Sequence, residues 1–85
     1  YNNAIKLYRE GKFKEANQSF EQTLAIYPQF APAHTNYALS LLKLGQTDQA
    51  LDHAQKAIAA DSKYLAAHVL LGELYQQQSK IADAK

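Results

Sequence analysis

The 85-residue sequence contains no cysteine, and that absence excludes disulfides, thiolate nucleophiles and zinc–thiolate sites. The sequence also lacks an excess of positive or negative charge. The net charge is +1, which is too little to steer nucleic acid or an anionic membrane toward the chain. No apolar run approaches the roughly 20 residues that a transmembrane helix needs. A chain of this length is expected to form one compact domain that buries roughly 60–65% of its unfolded surface.

Signals for enzyme chemistry are missing as well. The sequence has no phosphate-cradling glycine loop and no serine–histidine–acid signature. Asp48 and Asp52, with Lys56 next in the i,i+4 series, are typical of a solvated charge ladder. Paired catalytic carboxylates need a cleft that shifts their pKa values apart, and nothing in the sequence predicts one. We therefore expect no enzyme, no catalytic residue and no cofactor.

One short basic cluster lies near the start of the sequence. It is diluted by Glu10 and Glu15, and only Tyr8 and Phe13 are nearby as aromatic residues that could stack on bases. A solvated helix face is the simpler interpretation, so we expect no nucleic-acid partner. The four cations of the cluster are Lys6, Arg9, Lys12 and Lys14.

What the sequence does have is an internal repeat with a period of 34 residues. Gly11 and Gly45 are separated by this interval, and so are Ala16 and Ala50. A full unit spans 31–64, and the segments 1–30 and 65–85 align to it without gaps. The sequence shows no sustained apolar–polar alternation of the kind that predicts strands. The repeat therefore indicates a chain of helical units.

Each unit is predicted to form two helices. In 31–64, Pro32 suits the first turn of a helix, and Gly45 is expected to end that helix in a left-handed conformation. Thr47 is predicted to cap the following helix, with Asp48 placed favourably at its positive end. In the third unit Ser79 replaces the turn glycine, and a second helix is expected to begin shortly after it.

Three sets of small and apolar residues stand in register at this period. Together they resemble the tetratricopeptide repeat (TPR) family, and the resemblance covers the whole chain. His34 and His68 stand where the family often has tryptophan, and Ser62 replaces the usual closing proline. The three sets are Gly11, Ala16, Phe20 and Pro28; Ala38, Leu41, Gly45, Ala50, Ala54 and Ala57; and Leu71, Gly72, Tyr75 and Ala84.

The resemblance implies an all-α fold, a right-handed α-solenoid of antiparallel helix pairs that forms a TPR-like superhelix. It implies one TPR-like domain over 1–85, with a partial repeat at 1–30, a complete one at 31–64 and a truncated one at 65–85. We therefore expect the chain to be a piece of a longer protein. Two series of small residues are expected to let the helices approach to about 8–10 Å. These series are Ala16, Ala50 and Ala84 on second helices, and Ala4, Ala38 and Gly72 on first helices.

The three histidines are not predicted to form a metal or acid–base site. His34 and His68 occupy equivalent positions in adjacent units, so they should lie about one helix diameter, ~10 Å, apart. Each is expected to pack as a half-buried ring. His53 falls on the polar side of its predicted helix and is expected to be solvated.

The function that the resemblance implies is a protein-interaction scaffold. It would hold a peptide or a partner domain on the concave face, which the first helix of each unit forms. Apolar residues on this face favour an amphipathic helix or an extended hydrophobic peptide as the ligand. The alternative that some of them pack between neighbouring first helices stays open. The predicted contacts are Tyr8, Asn36, Leu39, Leu42, Lys43, Val69, Glu73 and Gln77; the wider face includes Tyr1, Ile5, Arg9, Thr35, Leu70 and Gln76.

A lysine/asparagine clamp that binds the carboxylate tail of chaperones is known in one class of the family. Only Asn36 matches it here, so a carboxylate clamp is disfavoured. The other clamp positions hold Tyr1, Ile5, Ala66 and Leu70.

A second functional interpretation is a structural element that self-associates through its repeat ends. Leu71 and Tyr75 are expected to lack the helix that would cover them. Exposed repeat ends tend to associate, because end repeats normally carry a polar cap.

Overall fold

The computed structural model describes the backbone of residues 2–83 and the side chains of residues 2–79. These residues form five helices and no strand. Tyr1 and Ala84, which the repeat analysis uses, lie outside the described residues, as does Lys85. The helices are α1 (Asn2–Arg9), α2 (Phe13–Ile26), α3 (Ala31–Lys43), α4 (Thr47–Ala60) and α5 (Leu65–Asp83).

Gly11 and Gly45 end α1 and α3 in the same way. Their φ angles are +80° and +79°, as the left-handed conformation requires. After α3, the N–H of Gln46 donates to Leu41 O at 2.9 Å and the N–H of Gly45 donates to Leu42 O at 3.0 Å. The same two bonds follow α1 at the equivalent positions. This is the Schellman motif, which satisfies the last carbonyls of a helix.

The predicted start of α3 is confirmed and the predicted cap of α4 is wrong. Pro32 lies in the first turn of α3, and Asp48 lies in the first turn of α4. Thr47, however, is the first helical residue of α4; the cap position is Gln46, which makes no side-chain capping bond. The Schellman motif that ends α3 already commits the N–H of Gln46, so α4 begins directly after it.

The predicted break at Ser79 is also wrong. Helix α5 runs without interruption from Leu65 to Asp83. The two breaks within a unit, after α1 and α3, both use a glycine with positive φ, and no non-glycine residue of the described part of the chain has positive φ. Serine has no ready access to that conformation, so the helix continues through position 79.

The core lies where the helices of each pair meet their neighbours. Helix α3 is central and packs against α2, α4 and α5. The small contacts at Ala16 and Ala50 are confirmed, because both side chains are 0% exposed. Phe20, Leu41 and Leu74 fill the larger spaces. The short connections make sequential helices antiparallel neighbours, and the hairpins stack into an α-solenoid.

One member of the small-residue series behaves differently. Ala4 and Ala38 are fully buried, but Gly72, which aligns with them, is exposed. A Cβ atom added to Gly72 would meet nothing within 4 Å. The predicted close contact at Gly72 is therefore wrong. The described residues contain no further helix that could approach α5 at this point.

Candidate functional site

The surface of α3 that remains accessible is a narrow stripe. From Ala31 to Leu41, only Pro32, Asn36 and Leu39 are not buried. The stripe continues through the half-buried Leu42 to the exposed Lys43. Spacings of three and four residues place these side chains on one face of the helix. The other side chains of α3 between Ala31 and Leu41 are buried.

Helices α1 and α5 carry the other predicted contacts. Tyr8 of α1 is half-buried, and burial raises the pKa of its hydroxyl. Its ring contacts Phe13 edge-on, with centroids 5.4 Å apart. On α5, Val69 is 62% exposed, and Glu73 and Gln77 are also exposed. We call the eight predicted contacts, from Tyr8 to Gln77, the first-helix face; their role in binding stays a prediction.

The apolar residues of the first-helix face are held in different ways. Leu39 and Leu42 are partly buried and pack against the core cluster, whereas Val69 projects into solvent. Two residues assigned to the wider face do not belong to it. Thr35 is buried and its hydroxyl donates to Ala31 O at 2.9 Å, and Leu70 is buried where α5 joins the core. Helix α3 packs on three neighbours, which covers positions that a surface helix would expose.

A second candidate site lies on the opposite side of α3. It is a cleft of about 600 Å³ between α2 and α4, with residues of α3 along its floor. His34 and Tyr37 point into it, roughly half a turn away from Asn36 and Leu39. We call it the histidine cleft; its lining is Glu21, Leu24, Ala25, Pro28, Gln29, His34, Tyr37, His53, Lys56 and Ala59.

His34 joins two elements at the floor of the histidine cleft. It is buried, its Nε2 is 2.8 Å from the carbonyl oxygen of Pro28, and its Nδ1 is 3.1 Å from Nδ1 of His53. The expectation of a packed ring is confirmed for His34, which is buried rather than half-buried, and it is wrong for His68. His68, in contrast, is exposed, although its Nε2 lies 2.6 Å from Ser62 O at the equivalent turn. The third unit lacks a second helix in the described residues, so nothing covers His68 as α4 covers His34.

The expectation that His53 is solvated is wrong. Its ring is half-buried, with its centroid 4.4 Å from that of Tyr37. Burial lowers the pKa of His53, and Lys56 and His34 lower this pKa further, against the opposing effects of Asp52 and Glu21. His53 lies three residues after the buried Ala50, and residues with this spacing are neighbours on the surface of a helix. That spacing was the sequence signal that could have predicted the partial burial of His53.

Tyr37 completes the polar contacts of the cleft. Its hydroxyl donates to the Glu21 carboxylate, and its ring lies 6.2 Å from that of Phe20. Burial, with this bond and the negative charge of Glu21, raises the pKa of Tyr37. Lys56 pairs with Asp52 at 3.1 Å at the exposed surface, as the charge ladder predicts. The described residues hold no group of three or more His, Asp or Glu side chains arranged to hold a metal ion.

Family comparisons match most of the chain. Two family models, both described as tetratricopeptide repeat, match residues 7–52 and 38–84. Each match covers more than half of the 85 residues. Among the described residues, no helix is long and apolar enough to cross a membrane.

Two curated relatives are much longer than this chain. The chain is 25% identical over 79 residues to the TPR repeat-containing thioredoxin TTL4 of Arabidopsis thaliana, covering 93% of the chain and 12% of that protein. It is 32% identical over 68 residues to a DnaJ homolog subfamily C member 7 homolog of Schizosaccharomyces pombe, covering 75% of the chain and 14% of that protein. The chain therefore spans a small part of the length of these relatives.

A solved structure shares the fold. It is described as the second TPR of Spaghetti (RPAP3) bound to the HSP90 peptide SRMEEVD. The TM-score is 0.88 at 23% sequence identity, and the match covers 98% of this chain and 77% of that chain. This likeness confirms the all-α solenoid architecture.

Proposed function

The chain belongs to the tetratricopeptide repeat family, and we propose that it is a protein-interaction module that binds its partner on the first-helix face. The observation that carries the proposal is the burial pattern of α3. The side chains of α3 that are not buried form one stripe along the helix, and that stripe contains Asn36, Leu39, Leu42 and Lys43. The division into repeats at 1–30, 31–64 and 65–85 remains part of the same proposal.

Packing against the core makes this face a preorganised surface. Leu39 and Leu42 are held by contacts with the core cluster, so their side chains lose little further freedom when a ligand binds. Val69 adds an exposed apolar side chain on the neighbouring helix. An amphipathic helix or an extended segment with apolar side chains fits such a surface.

The acidic peptide of the structural neighbour is not the ligand that we propose for this chain. That peptide, SRMEEVD, carries three carboxylate side chains. Of the clamp positions, Leu70 is buried and Ile5 is a partly buried residue packed against the core. Neither side chain can pair with a carboxylate, so an apolar ligand is favoured over an acidic one.

Peptides selected by phage display against the wild-type chain test this proposal directly. We expect apolar or amphipathic sequences, bound more tightly than SRMEEVD in fluorescence anisotropy. Val69→Glu and Leu42→Glu should each weaken binding at least about tenfold, because a carboxylate replaces an apolar contact. Ile26→Glu is the matched control, since Ile26 is 70% exposed at the end of α2, away from this face.

Two results would contradict binding on the first-helix face. One is that Val69→Glu leaves affinity unchanged although the selected peptides bind. The other is that Ile26→Glu weakens binding as much as Val69→Glu. Circular dichroism melts of each variant separate a lost contact from a lost fold. Val69 is exposed, so its variant is expected to stay folded when Leu42→Glu is destabilised.

The exposed side of α5 favours a second candidate function, which is self-association. Leu65 is 77% exposed and Tyr75 is 50% exposed. Large apolar side chains on the outer side of an end helix are the surface that a neighbouring hairpin covers in a solenoid. A second copy of the chain could take that place.

A further inference from the structure

The two facing imidazoles of the histidine cleft form an arrangement that neither the fold nor peptide binding explains. Nδ1 of His34 and Nδ1 of His53 are 3.1 Å apart, and the ring centroids are 5.3 Å apart. That centroid separation is near the largest that so short a nitrogen contact allows. The two nitrogens therefore lie between the rings and point toward each other.

The contact with Pro28 determines the protonation of His34. A carbonyl oxygen can only accept, so the 2.8 Å contact requires a proton on Nε2 of His34. In the neutral ring, Nδ1 of His34 then carries a free electron pair and accepts from N–H of His53. A histidine that ligates a metal is typically oriented in this way, with its other N–H donated to a backbone carbonyl.

We propose that His34 and His53 bind a divalent late transition-metal ion through their Nδ1 atoms. Imidazole suits zinc, copper and nickel and does not suit magnesium or calcium. The proton on Nδ1 of His53 moves to Nε2 of the same ring when the ion binds, so the neutral pair releases no net proton. Two protein nitrogens and water molecules in the cleft of about 600 Å³ complete the coordination.

The distances suit such an ion once both rings turn. With both nitrogens 2.0–2.1 Å from the ion, as in zinc sites, a 3.1 Å separation corresponds to an N–metal–N angle of about 100°. That angle is near the tetrahedral value. The rings now face each other, so they must turn for both electron pairs to converge, and histidine has a broad torsional well about χ2.

The scaffold around the pair is closely packed. His34 and His53 stand on α3 and α4, which are packed together through Leu41, Ala50 and Ala54. Glu21 is already bonded to Tyr37, so the two imidazoles alone are the protein ligands.

Zinc titration of the untagged chain is the test. Calorimetry at neutral pH should show one equivalent of Zn²⁺ bound and no binding of Mg²⁺. His53→Gln should weaken zinc binding at least about tenfold. His68→Gln is the matched control: His68 also contacts a carbonyl through Nε2, but it is exposed and lies outside the cleft.

Nitrogen NMR of the wild-type rings gives a second readout that needs no variant to fold. Zinc should shift the Nδ1 signals of His34 and His53 and leave Nε2 of His34 protonated. The proposal is overturned if the wild-type chain binds no zinc, if His68→Gln loses as much affinity as His53→Gln, or if zinc shifts only Nε2 signals. Peptide binding on the first-helix face is a separate measurement, and either result can fail alone.

Discussion

At the scale of single residues, two histidine–carbonyl contacts repeat with the period of the sequence. Nε2 of His34 contacts Pro28 O, and Nε2 of His68 contacts Ser62 O. Donor and acceptor are both displaced by 34 positions between the two contacts. Each bond ties the turn that closes one unit to the first helix of the next. Histidine thus has a defined structural role where the family often has tryptophan.

The fully buried alanines make a prediction at the same scale. Ala50 is 0% exposed within the core cluster, so Ala50→Leu forces a larger side chain into a packed junction. We expect a loss of about 1–3 kcal/mol in the free energy of unfolding. Urea denaturation monitored by circular dichroism measures this loss.

A control for this prediction lies in the same helix. Ala59 is exposed, so Ala59→Leu should change the free energy of unfolding by about 0.5 kcal/mol or less. Equal stability of the Ala50→Leu protein and the wild type would mean that the junction has room for three extra carbons. The packing argument for small residues would then be wrong.

At the scale of elements, glycine determines whether the first helix of a unit ends at the turn position. Helices α1 and α3 stop at glycines in the left-handed conformation, with the same pair of backbone bonds. Helix α5 has serine at the equivalent position and continues to Asp83. The third unit therefore differs from the other two in the backbone conformation at the turn position. Over the described residues it is a single long helix.

Gly45 and Gly72 should respond in opposite directions to the same substitution. A Cβ atom meets nothing within 4 Å at either site, so only backbone conformation differs. Gly45→Ala places a side chain at a φ of +79°, and we expect a loss of about 1–2 kcal/mol in unfolding free energy. Gly72→Ala improves the helix propensity of α5, and we expect a gain of about 0.5–1 kcal/mol.

Chemical denaturation of the two variants under the same conditions gives the comparison. The difference in sign matters more than either magnitude. If Gly45→Ala were as stable as the wild type, the left-handed turn would not be what ends α3. If Gly72→Ala were destabilised, Gly72 would have a close neighbour after all.

At the scale of the whole molecule, the solenoid presents two different surfaces. The first-helix face is partly apolar and built on α1, α3 and α5. The histidine cleft combines polar and apolar side chains and lies between α2 and α4. Both are positioned by α3, which contributes opposite sides of one helix. A ligand on one surface therefore leaves the other accessible.

Self-association is also a property of the whole molecule. We expect the chain to associate at high concentration through the outer side of α5, and Tyr75→Glu to shift it toward monomer in multi-angle light scattering. Tyr27→Glu is the control, because Tyr27 is 62% exposed at the other end of a unit, between α2 and α3. If the wild-type chain stays monomeric at high concentration, that result contradicts this candidate function.

Much of the fold could be predicted from the sequence. The period of 34 residues, the helix ends at Gly11 and Gly45 and the buried alanines are local or periodic signals that the structure confirms. The first-helix face was predicted from the resemblance to the family, and the burial of α3 supports it without testing it. The errors at Ser79 and Gly72 arose from applying a repeat pattern where one backbone torsion or one neighbouring helix differed. The error at Thr47 arose from a capping preference, because the cap position is the preceding residue, Gln46.

The sequence alone determined the repeated helical hairpins, because small side chains and turn glycines act within a few residues of one another. Only the tertiary structure decided where the histidines stand. His34 and His53 are 19 residues apart on different helices, and no periodicity within either helix brings their Nδ1 atoms to 3.1 Å. That approach depends on the angle at which α3 packs on α4, because ring positions in space follow from helix packing rather than from spacing along the chain.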